Sequence, residues 1–520
     1  MSSLKGSERR TKGHFRTIIS ILITILLLLL QLLFYYAAFF GINFLKGPSP
    51  HAYRIIYSIV QVIGIYCVLK MYKKQINSAY KLSWTIFILL CPFLGTVSYL
   101  FFGNGRVLPK RRMNKMNKYI GAYPLKDMEK IDEDIDPDFG LCAKALNKDS
   151  GYPLYTNTRT KFYGDALDKH NDMLEDLSKA RKFIFMEFYI FGKGKIMEEL
   201  LPILENKGRL GIEIKILYDD VGSILSRDKK IMEKLKSIPN LSIHAYEPLS
   251  LPINPRVNYR DHRKIVVIDG NIAYTGGDNI ADEYIHLRNR FGYWRDNAIR
   301  IEGNACESFT TMFIQMWYMA SKEKLDIEPY RPAIHIEDGS ICLPYGDGPL
   351  YENHPSYNLF MNMINLSKKS IFISTPYFII DNRIVDALVL KSNQGVDVRI
   401  LIPAIPDKKA VYLMTRAHLG PLLKSGVKVY LYKPGFNHAK TIVVDDKYGF
   451  IGTVNMDYRS LLLHFEDGVL LYDQEALHDM YEDFLYQVSD LETLDYESFK
   501  NRNIFIRLIE LILLIFSPVL

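Results

Sequence analysis

Two copies of one short pattern hold the residues of this sequence that are best suited to chemistry. Each copy reads His-x-Lys-x4-Asp-x6-Gly-x2-Asn, and the copies begin at His262 and His438. An imidazole acts as nucleophile, acid or base near neutral pH, and a lysine supplies positive charge. One copy could be an accident, whereas two intact copies indicate a single site built from two halves. The residues of the copies are His262, Lys264, Asp269, Gly276 and Asn279, and His438, Lys440, Asp445, Gly452 and Asn455.

The spacing within each copy predicts a β-hairpin with its polar side chains on one face. A histidine and a lysine two residues apart on a strand point to the same side of the sheet. Gly270-Asn271 and Asp446-Lys447 are suited to two-residue hairpin loops. Such loops would set each histidine opposite the asparagine of its own copy, in the pairs His262 with Asn279 and His438 with Asn455.

The side chains of the two hairpins would surround a tetrahedral anion, most naturally a phosphodiester. Lys264 and Lys440 would neutralise the charge that shields the phosphorus, above all in the transition state. Asn279 and Asn455 would supply amide donors to the phosphate. The two aspartates fall at the predicted turns, where capping the hairpin is at least as plausible as a chemical role.

The elements around these motifs follow the same order twice. Strands separated by helices of the observed length indicate βαβ units and a mostly parallel sheet. The fold class is therefore expected to be α/β, with two repeats related by a pseudo-twofold axis. The predicted strand, helix and strand are 182–190, 195–205 and 212–218 in the first repeat, and 370–378, 383–391 and 396–402 in the second.

Three apolar segments, at 17–45, 53–69 and 82–102, precede the repeats and predict transmembrane helices. The first exceeds the roughly 20 residues that span a bilayer and is too long for the apolar part of a signal peptide. The third is interrupted at Pro92 and Gly95 and has basic residues on both flanks. It is either an ordinary third crossing or a re-entrant hairpin, and the flanking charges favour a cytoplasmic catalytic part.

Composition sets wider limits on the protein. A chain of 520 residues with 48% apolar and 24% charged residues is too long for one core and is not disordered. The net charge of +7 is mild and does not identify a partner. The five cysteines show no CxxC spacing, so neither a disulfide framework nor a zinc site is predicted. The oligomeric state stays open.

The paired motif resembles the HKD signature of the phospholipase D superfamily, over roughly residues 130–500. The resemblance implies that one histidine forms a covalent phosphohistidine and the other acts as acid and then base, without metal or other cofactor. In chain order, His262 would attack phosphorus and His438 would protonate the leaving alcohol, although the opposite assignment remains open. A carboxylate downstream of each motif would orient its histidine. The matches are Asp296 after the first motif and Glu466 after the second.

Other segments resemble bacterial cardiolipin synthases within this superfamily. The resemblance implies transfer of a phosphatidyl group between two phosphatidylglycerols at the bacterial cell membrane, with anionic lipid and not nucleic acid as partner. Another phosphatidyltransferase or a membrane-bound phospholipase D would use the same residues, and a non-catalytic lipid-binding scaffold would be expected to lose one motif. The similar segments are Lys81-Leu82-Ser83-Trp84 leading to Pro92, Gly95 and 99–103, then 218–223 and 456–460.

The predicted organisation has five parts. The last part is apolar but carries Arg507 and Glu510, so an interfacial helix is expected more than a full span. A terminal helix that packs on the domain is the alternative. The parts are a membrane module at 1–105, a basic linker at 106–129, the two phospholipase D-like halves at 130–330 and 331–500, and the C-terminal helix at 501–520.

Overall fold

The computed structural model describes residues 50–74, 78–103, 136–248 and 258–518, apart from residues 335, 338 and 352. The apolar segment at 17–45 and the predicted basic linker lie outside these residues. The chain divides into two compact units, a small one that includes the N-terminal helices and a large one that contains both motifs.

The small unit contains apolar helices. Among the described residues, the stretch from Ile55 to Tyr72 is long and apolar enough to cross a membrane, whereas the two helices that follow are shorter. The helices are α1 (Pro50–Tyr72), α2 (Ser78–Leu90) and α3 (Pro92–Ser98), followed by a π-helical turn (Tyr99–Gly103).

The third apolar segment of the sequence is not one continuous helix. It breaks at Cys91, and Pro92 begins α3, where its missing N–H costs nothing. A Cβ on Gly95 would lie 2.4 Å from the carbonyl oxygen of Phe87. Residues eight apart in a continuous helix are separated by about 12 Å, so α3 folds back against α2. This bend has the position expected for the re-entrant alternative, and the membrane topology stays a prediction.

The large unit is built around one sheet that contains fourteen of its described strands. Four further short strands form two separate pairs, β7 with β14 and β11 with β17. The strands are β1 (Tyr155–Tyr163), β2 (Phe183–Phe188), β3 (Glu213–Asp219), β4 (Leu241–Tyr246), β5 (Lys264–Ile268), β6 (Ile272–Gly276), β7 (Tyr293–Arg295), β8 (Ala298–Gly303), β9 (Ser340–Asp347), β10 (Ser370–Ser374), β11 (Phe378–Ile379), β12 (Asp397–Pro403), β13 (Lys428–Tyr432), β14 (Gly435–Asn437), β15 (Thr441–Val444), β16 (Tyr448–Gly452), β17 (Met456–Asp457) and β18 (Glu466–Tyr472).

The order of strands across this sheet reads the same from both edges. From one edge it runs β13-β12-β10-β15-β16-β18-β9, and from the other β4-β3-β2-β5-β6-β8-β1. The two series meet where β1 pairs with β9. The duplicated order confirms two α/β repeats with pseudo-twofold symmetry. The predicted boundary at residue 330 falls just before β9, although the division into domains stays a prediction.

The helices of the large unit connect and cover these strands. The helix that follows β8 is buried on all its faces from Cys306 to Met319, which explains its almost continuous run of apolar and small residues. The helices are α4 (Pro137–Ser150), α5 (Ala166–Lys179), α6 (Lys195–Arg209), α7 (Lys229–Ser237), α8 (Cys306–Ser321), α9 (Pro355–Leu366), α10 (Asn382–Asn393), α11 (Lys409–Lys424), α12 (Tyr458–Leu462), α13 (Glu475–Val488), α14 (Tyr496–Lys500) and α15 (Ile504–Phe516).

The prediction of a mostly parallel sheet is wrong. Among the thirteen neighbouring strand pairs of the described sheet, four are parallel and nine are antiparallel. Parallel pairing is confined to the outer strands of each half, where α6, α7, α10 and α11 provide the crossovers. The inner strands carry the two motif hairpins, and a hairpin forces its strands to be antiparallel.

The predicted hairpin register is also wrong, by one residue in both copies. Val266 pairs with Tyr274 and Thr441 pairs with Ile451, so the loops contain three residues instead of two. Each loop begins with an aspartate of positive φ, 55° at Asp269 and 58° at the equivalent aspartate. The ladder of each hairpin ends one or two residues short of the lysine, so neither motif histidine lies opposite its asparagine within the described strand pairs.

The C-terminal helix α15 belongs to the large unit up to Leu513, and this part exposes most of its large apolar side chains. The charged side chain of Glu510, in contrast, is buried and forms an ion pair with Arg502 at 2.7 Å. A helix of this composition with an exposed apolar surface suits the membrane interface, which stays a prediction. The exposed side chains are Ile504, Phe505, Ile506, Leu508, Ile509, Leu511 and Ile512.

Candidate active site

Both motif histidines lie immediately before an inner strand of the sheet and are tied there to the opposite half. The backbone N–H of His262 donates to the carbonyl oxygen of Phe465 at 2.9 Å. In the same way, the N–H of His438 donates to the carbonyl oxygen of Arg295 at 2.7 Å. Phe465 and Arg295 each precede one of the predicted orienting carboxylates. The backbone thus places each histidine beside the carboxylate of the other half.

The side chains follow this exchange between halves. Nδ1 of His262 lies 2.9 Å from Oε2 of Glu466, and Nδ1 of His438 lies 2.6 Å from Oδ2 of Asp296. Each carboxylate was predicted to orient the histidine of its own half, and that pairing is wrong. The pairs are crossed because the strand segments before the histidines align with segments of the opposite repeat. Neither half alone therefore contains a complete histidine–carboxylate pair.

These contacts define which ring nitrogen is available for chemistry. An ionised carboxylate only accepts hydrogen bonds, so Nδ1 of each neutral imidazole carries the proton. Nε2 then holds a lone pair, as a nucleophile or a base requires. Both histidines are 8% exposed, so each ring is held within the protein while a small part remains accessible.

The two motif lysines converge on the same region. Lys264 donates from Nζ to the carbonyl oxygen of His262, and Lys440 does the same to His438. Burial lowers the pKa of Lys440 to about 7, with the charge of Asp296 acting in the opposite direction. Burial also lowers the pKa of Lys264 below its usual value, against the opposing charge of Glu466.

Burial favours the neutral form of both histidines. Burial lowers the pKa of His262 to about 3, although the charge of Glu466 opposes this shift. Burial, together with the charges of Lys440 and Lys264, places the pKa of His438 well below its usual value. A bound phosphodiester would add negative charge and favour protonation of one ring.

The two carboxylates differ in their own protonation. Burial raises the pKa of Asp296 to about 6, against the opposing charge of Lys440. Burial acts in the same direction on Glu466, but the contact with His262 outweighs it and holds the pKa of Glu466 below its usual value. Glu466 thus stays ionised over a wider pH range than Asp296.

The motif asparagines are placed differently from each other. Asn279 accepts the backbone N–H of Ile190 at 2.9 Å and donates to the hydroxyl of Tyr284 at 2.8 Å. The ring of Tyr284 lies 5.7 Å from that of His438, so Asn279 helps to position an aromatic neighbour of that histidine. Asn455 is buried, and its Oδ1 has no hydrogen-bond partner among the described residues. Phosphate contacts by either asparagine stay a prediction.

The motif aspartates lie at the far ends of their strands, five residues beyond the lysines and roughly 15 Å along the chain. Asp269 accepts backbone N–H groups from residues 181, 182 and 183. Asp445 accepts the equivalent three groups from residues 368, 369 and 370. The structure thus favours the hairpin-capping interpretation over the chemical role, and the two aspartates are positioning residues.

The motif glycines allow close approach of neighbouring backbone. A Cβ on Gly276 would lie 2.4 Å from the carbonyl oxygen of Asn297, and one on Gly452 would lie 2.4 Å from that of Asp467. A Cβ on Gly277 would meet the carboxylate of Asp296 itself. These positions therefore keep the segments that carry Asp296 and Glu466 against the hairpins.

The sequence did not reveal how differently the two histidines are surrounded. His438 lies among aromatic rings, with centroid distances of 5.4 Å to Trp294, 5.7 Å to Tyr284 and 5.9 Å to Phe436. His262 lies 5.1 Å from the ring of Tyr189 and 5.5 Å from that of His464. Trp294 and His464 could have been found by aligning the two halves, because each precedes its carboxylate by two residues.

A buried ionic group also distinguishes the first half. Arg263 is 1% exposed and donates from Nε to the carbonyl oxygen of Glu466 at 3.0 Å. Its charge acts on Glu187 and Asp261, two carboxyls that are buried together, and burial raises the pKa of Asp261 to about 6. The motif copies signal this difference, since Asp261 and Arg263 correspond to neutral residues in the second copy.

One group of side chains has the composition of a zinc site. His262, His464 and Glu466 place potential ligand atoms within 4.8 Å of one another. However, Oε2 of Glu466 already accepts His262 and the hydroxyl of Thr453, the latter at 2.6 Å. The ammonium of Lys264 also acts on His262 and would oppose a cation. The donor set therefore fits a hydrogen-bonded catalytic group better than a metal centre.

Comparison with known proteins agrees with this geometry. The family model described as cardiolipin synthase, PLD-like domain, matches residues 173–317 and 360–487. The model described as phospholipase D-nuclease N-terminal matches residues 58–104. Together they cover both halves of the site and the described N-terminal helices.

Related sequences extend over nearly the whole chain. The major cardiolipin synthase ClsA of Bacillus subtilis is 34% identical over 479 residues, covering 90% of this chain and 99% of its own. Cardiolipin synthase 1 of Staphylococcus aureus is 31% identical over 480 residues, covering 89% and 96%. Among solved structures, phosphatidylserine synthase of Haemophilus influenzae superimposes with a TM-score of 0.57 at 17% identity. It covers 74% of this chain and 98% of its own, and it supports the fold alone.

The crossed histidine–carboxylate pairs, the duplicated sheet and these relatives agree on one identification. The chain belongs to the cardiolipin synthase family of the phospholipase D superfamily, and it is a phosphatidyltransferase.

Proposed function

We propose that this protein joins two phosphatidylglycerol molecules to form cardiolipin and glycerol. The observation that carries this proposal is the single buried site in which two histidines, each bonded to a carboxylate of the other half, share two lysines. Such a site suits the double displacement of a phosphodiester, because nucleophile, acid and positive charge are all present. The family relationship supports phosphatidylglycerol as substrate.

The first step transfers the phosphatidyl group to the enzyme. Nε2 of His262 attacks the phosphorus of one phosphatidylglycerol, and the bond from phosphorus to the glycerol oxygen breaks. His438, protonated in the substrate complex, gives its proton to that oxygen, so glycerol leaves as a neutral alcohol. Lys264 and Lys440 stabilise the negative charge that develops on the phosphoryl oxygens.

The second step reverses the roles of the groups. The terminal hydroxyl of a second phosphatidylglycerol gives its proton to His438, and its oxygen attacks the phosphorus of the phosphohistidine. The bond from phosphorus to Nε2 of His262 breaks, which releases cardiolipin and restores both histidines. One phosphodiester replaces another, so the chemistry requires neither ATP nor a metal ion.

The two carboxylates suit different histidines in this mechanism. A phosphohistidine whose Nδ1 keeps its proton carries positive charge, and Glu466, whose pKa lies below its usual value, remains ionised beside it. The pair of His438 and Asp296 must give and take a proton once per turnover. Burial raises the pKa of Asp296 to about 6, closer to the range in which such exchange occurs. This difference supports His262 as the nucleophile.

The surroundings of the base support transfer to an alcohol instead of hydrolysis. Trp294, Tyr284 and Phe436 place apolar ring surface around His438, and such a surface disfavours water beside the base. An enclosed site protects a reactive intermediate from hydrolysis. A phospholipase D would instead need a water molecule beside this base.

The membrane location follows from the lipid substrates of the family, and its finer details belong to this proposal. We expect a multi-pass protein of the bacterial cell membrane with its catalytic unit on the cytoplasmic side, in contact with anionic lipid. Basic residues around the N-terminal helices support that orientation. Protease added to sealed membrane vesicles of known orientation tests this arrangement. We expect cleavage of the catalytic unit in inside-out vesicles and protection in right-side-out vesicles. Cleavage in right-side-out vesicles would overturn the cytoplasmic location.

One incubation tests the proposed function. Purified protein in detergent or vesicles that contain phosphatidylglycerol alone should produce cardiolipin and glycerol in equal amounts, identified by mass. The double variant His262→Ala with His438→Ala serves as the inactive control. Phosphatidic acid as the sole lipid product would show a hydrolase, and absence of any product would favour a non-catalytic lipid-binding role.

A further inference from the structure

A third histidine lies at the centre of the difference between the two halves. We propose that His464 is a positioning residue that holds the free oxygen of Glu466 and thereby fixes His262 for attack on phosphorus. This inference rests on the proposed function only in assuming that His262 is the nucleophile of a phosphoryl transfer. His464 itself makes no bond to the reacting atoms.

The hydrogen bonds of Glu466 leave room for one more donor. Its Oε2 accepts Nδ1 of His262 at 2.9 Å and the hydroxyl of Thr453 at 2.6 Å. Its Oε1 is buried and has no hydrogen-bond partner among the described residues. A buried carboxylate oxygen without a donor is costly, so a nearby donor would be drawn to it.

His464 is placed to satisfy that oxygen. Its Nδ1 lies 3.5 Å from Oε1 of Glu466, and its side chain is only 11% exposed. Both of its ring nitrogens lack hydrogen-bond partners within the part of the chain that the structure describes. An approach of about half an ångström, within reach of a small ring rotation, would form a normal hydrogen bond.

The other half shows why such a donor matters on this side alone. Oδ2 of Asp296 accepts His438, and Oδ1 accepts the backbone N–H of Asn297 at 3.0 Å. Both oxygens of Asp296 are thus satisfied without help from a third side chain. The residue two positions before it is Trp294, which packs its ring against His438 and whose indole N–H also acts on Asp296, a carboxylate whose two oxygens already have donors. The two halves place a ring at equivalent positions, and His464 is the ring that completes its carboxylate.

The expected consequence is a loss of alignment instead of a loss of substrate binding. If both oxygens of Glu466 accept hydrogen bonds, its carboxylate cannot rotate. The hydrogen bond from Nδ1 of His262 then keeps its direction, and Nε2 stays oriented toward the phosphorus. Misplacement of a reacting group by about 1 Å can lower a rate on the order of 100-fold. Removal of the His464 donor should therefore reduce kcat strongly while leaving KM nearly unchanged.

Two substitutions separate hydrogen bonding from packing. His464→Asn retains an N–H donor near the position of Nδ1, and His464→Phe retains a ring of similar size without a donor. His478→Phe is a matched control, because His478 is half exposed on α13 and bonds to Asp446 instead of the site. His464→Leu repeats the donor-free test if the phenylalanine variant does not fold, as judged by thermal melting.

The experiment measures single-turnover attack on a chromogenic phosphodiester, bis(4-nitrophenyl) phosphate, alongside cardiolipin formation from phosphatidylglycerol. We expect His464→Phe to slow the release of nitrophenolate on the order of 100-fold, with His464→Asn and the control within a few-fold of the native protein. Native rates in His464→Phe, or equal losses in His464→Phe and His464→Asn, would overturn the inference. If the native protein attacks the chromogenic diester but forms no cardiolipin, the proposed function alone is refuted and the inference about His464 is left intact.

Discussion

The regions around the two histidines share a scaffold and differ in their chemistry. Each hairpin is capped by an aspartate that accepts three backbone N–H groups, and each histidine bonds to a carboxylate of the other half. His262 has a second histidine beside it and a buried ionic group behind it, whereas His438 is enclosed by aromatic rings. A duplicated fold has therefore kept what positions the site and changed what tunes each histidine.

The ionic difference can be followed position by position. The first half buries Glu187 and Asp261 near Arg263, and equivalent positions of the second half hold Ser374, Asn437 and Ala439. Ser374 and Asn437 carry no charge themselves and hydrogen-bond to each other at 3.0 Å, and the buried guanidinium of Arg295 donates to both. The symmetric parts of the site thus set geometry, and the asymmetric parts divide nucleophile from acid.

The largest effect is expected from breaking the crossed pairs. Glu466→Gln and Asp296→Asn should each reduce cardiolipin synthesis on the order of 10⁴-fold, because the histidine loses its correct tautomer. The affected steps should differ in a single-turnover assay. Glu466→Gln should slow formation of the phosphohistidine on His262, whereas Asp296→Asn should let that adduct persist. The reverse pattern would indicate that each carboxylate serves the histidine of its own half.

The pH dependence of kcat/KM tests the role of the positive charge on Lys440. Lys440 has a pKa lowered to about 7, so it is charged below that pH and loses its charge above it. Since a cation stabilises the transition state, kcat/KM should fall as pH rises through about 7, by up to tenfold per pH unit. Lys440→Arg keeps its charge and should remove this fall. A native profile that stays flat up to pH 9 would contradict the role of Lys440.

A smaller effect, on stability, should distinguish the buried carboxyls of the first half from the uncharged side chains at the equivalent positions of the second. Arg263→Met should reduce the free energy of unfolding by about 3–5 kcal/mol, because it leaves buried carboxyls without their counter-charge. Ser374→Ala in the second half should cost only about 1 kcal/mol. Adding Glu187→Gln to Arg263→Met should restore part of the loss. Denaturant unfolding in detergent measures all four proteins, and equal losses in the two halves would remove the proposed asymmetry.

The smallest difference is expected between the two hairpin caps. Asp269→Ala and Asp445→Ala should each lower the free energy of unfolding by about 2–3 kcal/mol, since each carboxylate accepts three backbone N–H groups. The two losses should agree closely, and kcat of the folded variants should fall less than tenfold. A much larger loss of kcat in variants that remain folded would indicate that these aspartates take part in the chemistry.

The sequence predicted the site better than it predicted the sheet that carries it. Two intact motifs were enough to identify the histidines and lysines, and the resemblance to the HKD signature supplied the two carboxylates. The one-residue error in both hairpins arose because Asp269 and its counterpart enter the loop to reach backbone N–H groups far away in sequence. Local turn preferences do not contain that information.

Local sequence patterns also could not predict that each histidine pairs with the carboxylate of the opposite half. This pairing depends on which segment of the second repeat lies beside Arg295, and that is decided by packing between halves. In the sequence, His464 is distinguished only by its place two residues before Glu466. Its importance depends on an unsatisfied oxygen of that carboxylate, which only the three-dimensional arrangement reveals.

The covalent intermediate tests the central claim most directly. Labelled phosphatidylglycerol is mixed with His438→Ala protein, quenched rapidly without acid, and the labelled peptide is located by mass. We predict slow formation of a phosphatidyl adduct on His262 that then persists, because the base for the second alcohol is absent. His262→Ala should show no adduct at any time. An adduct on His438 in the native protein would reverse the assignment of roles, and cardiolipin formation without an adduct on either histidine would contradict the mechanism.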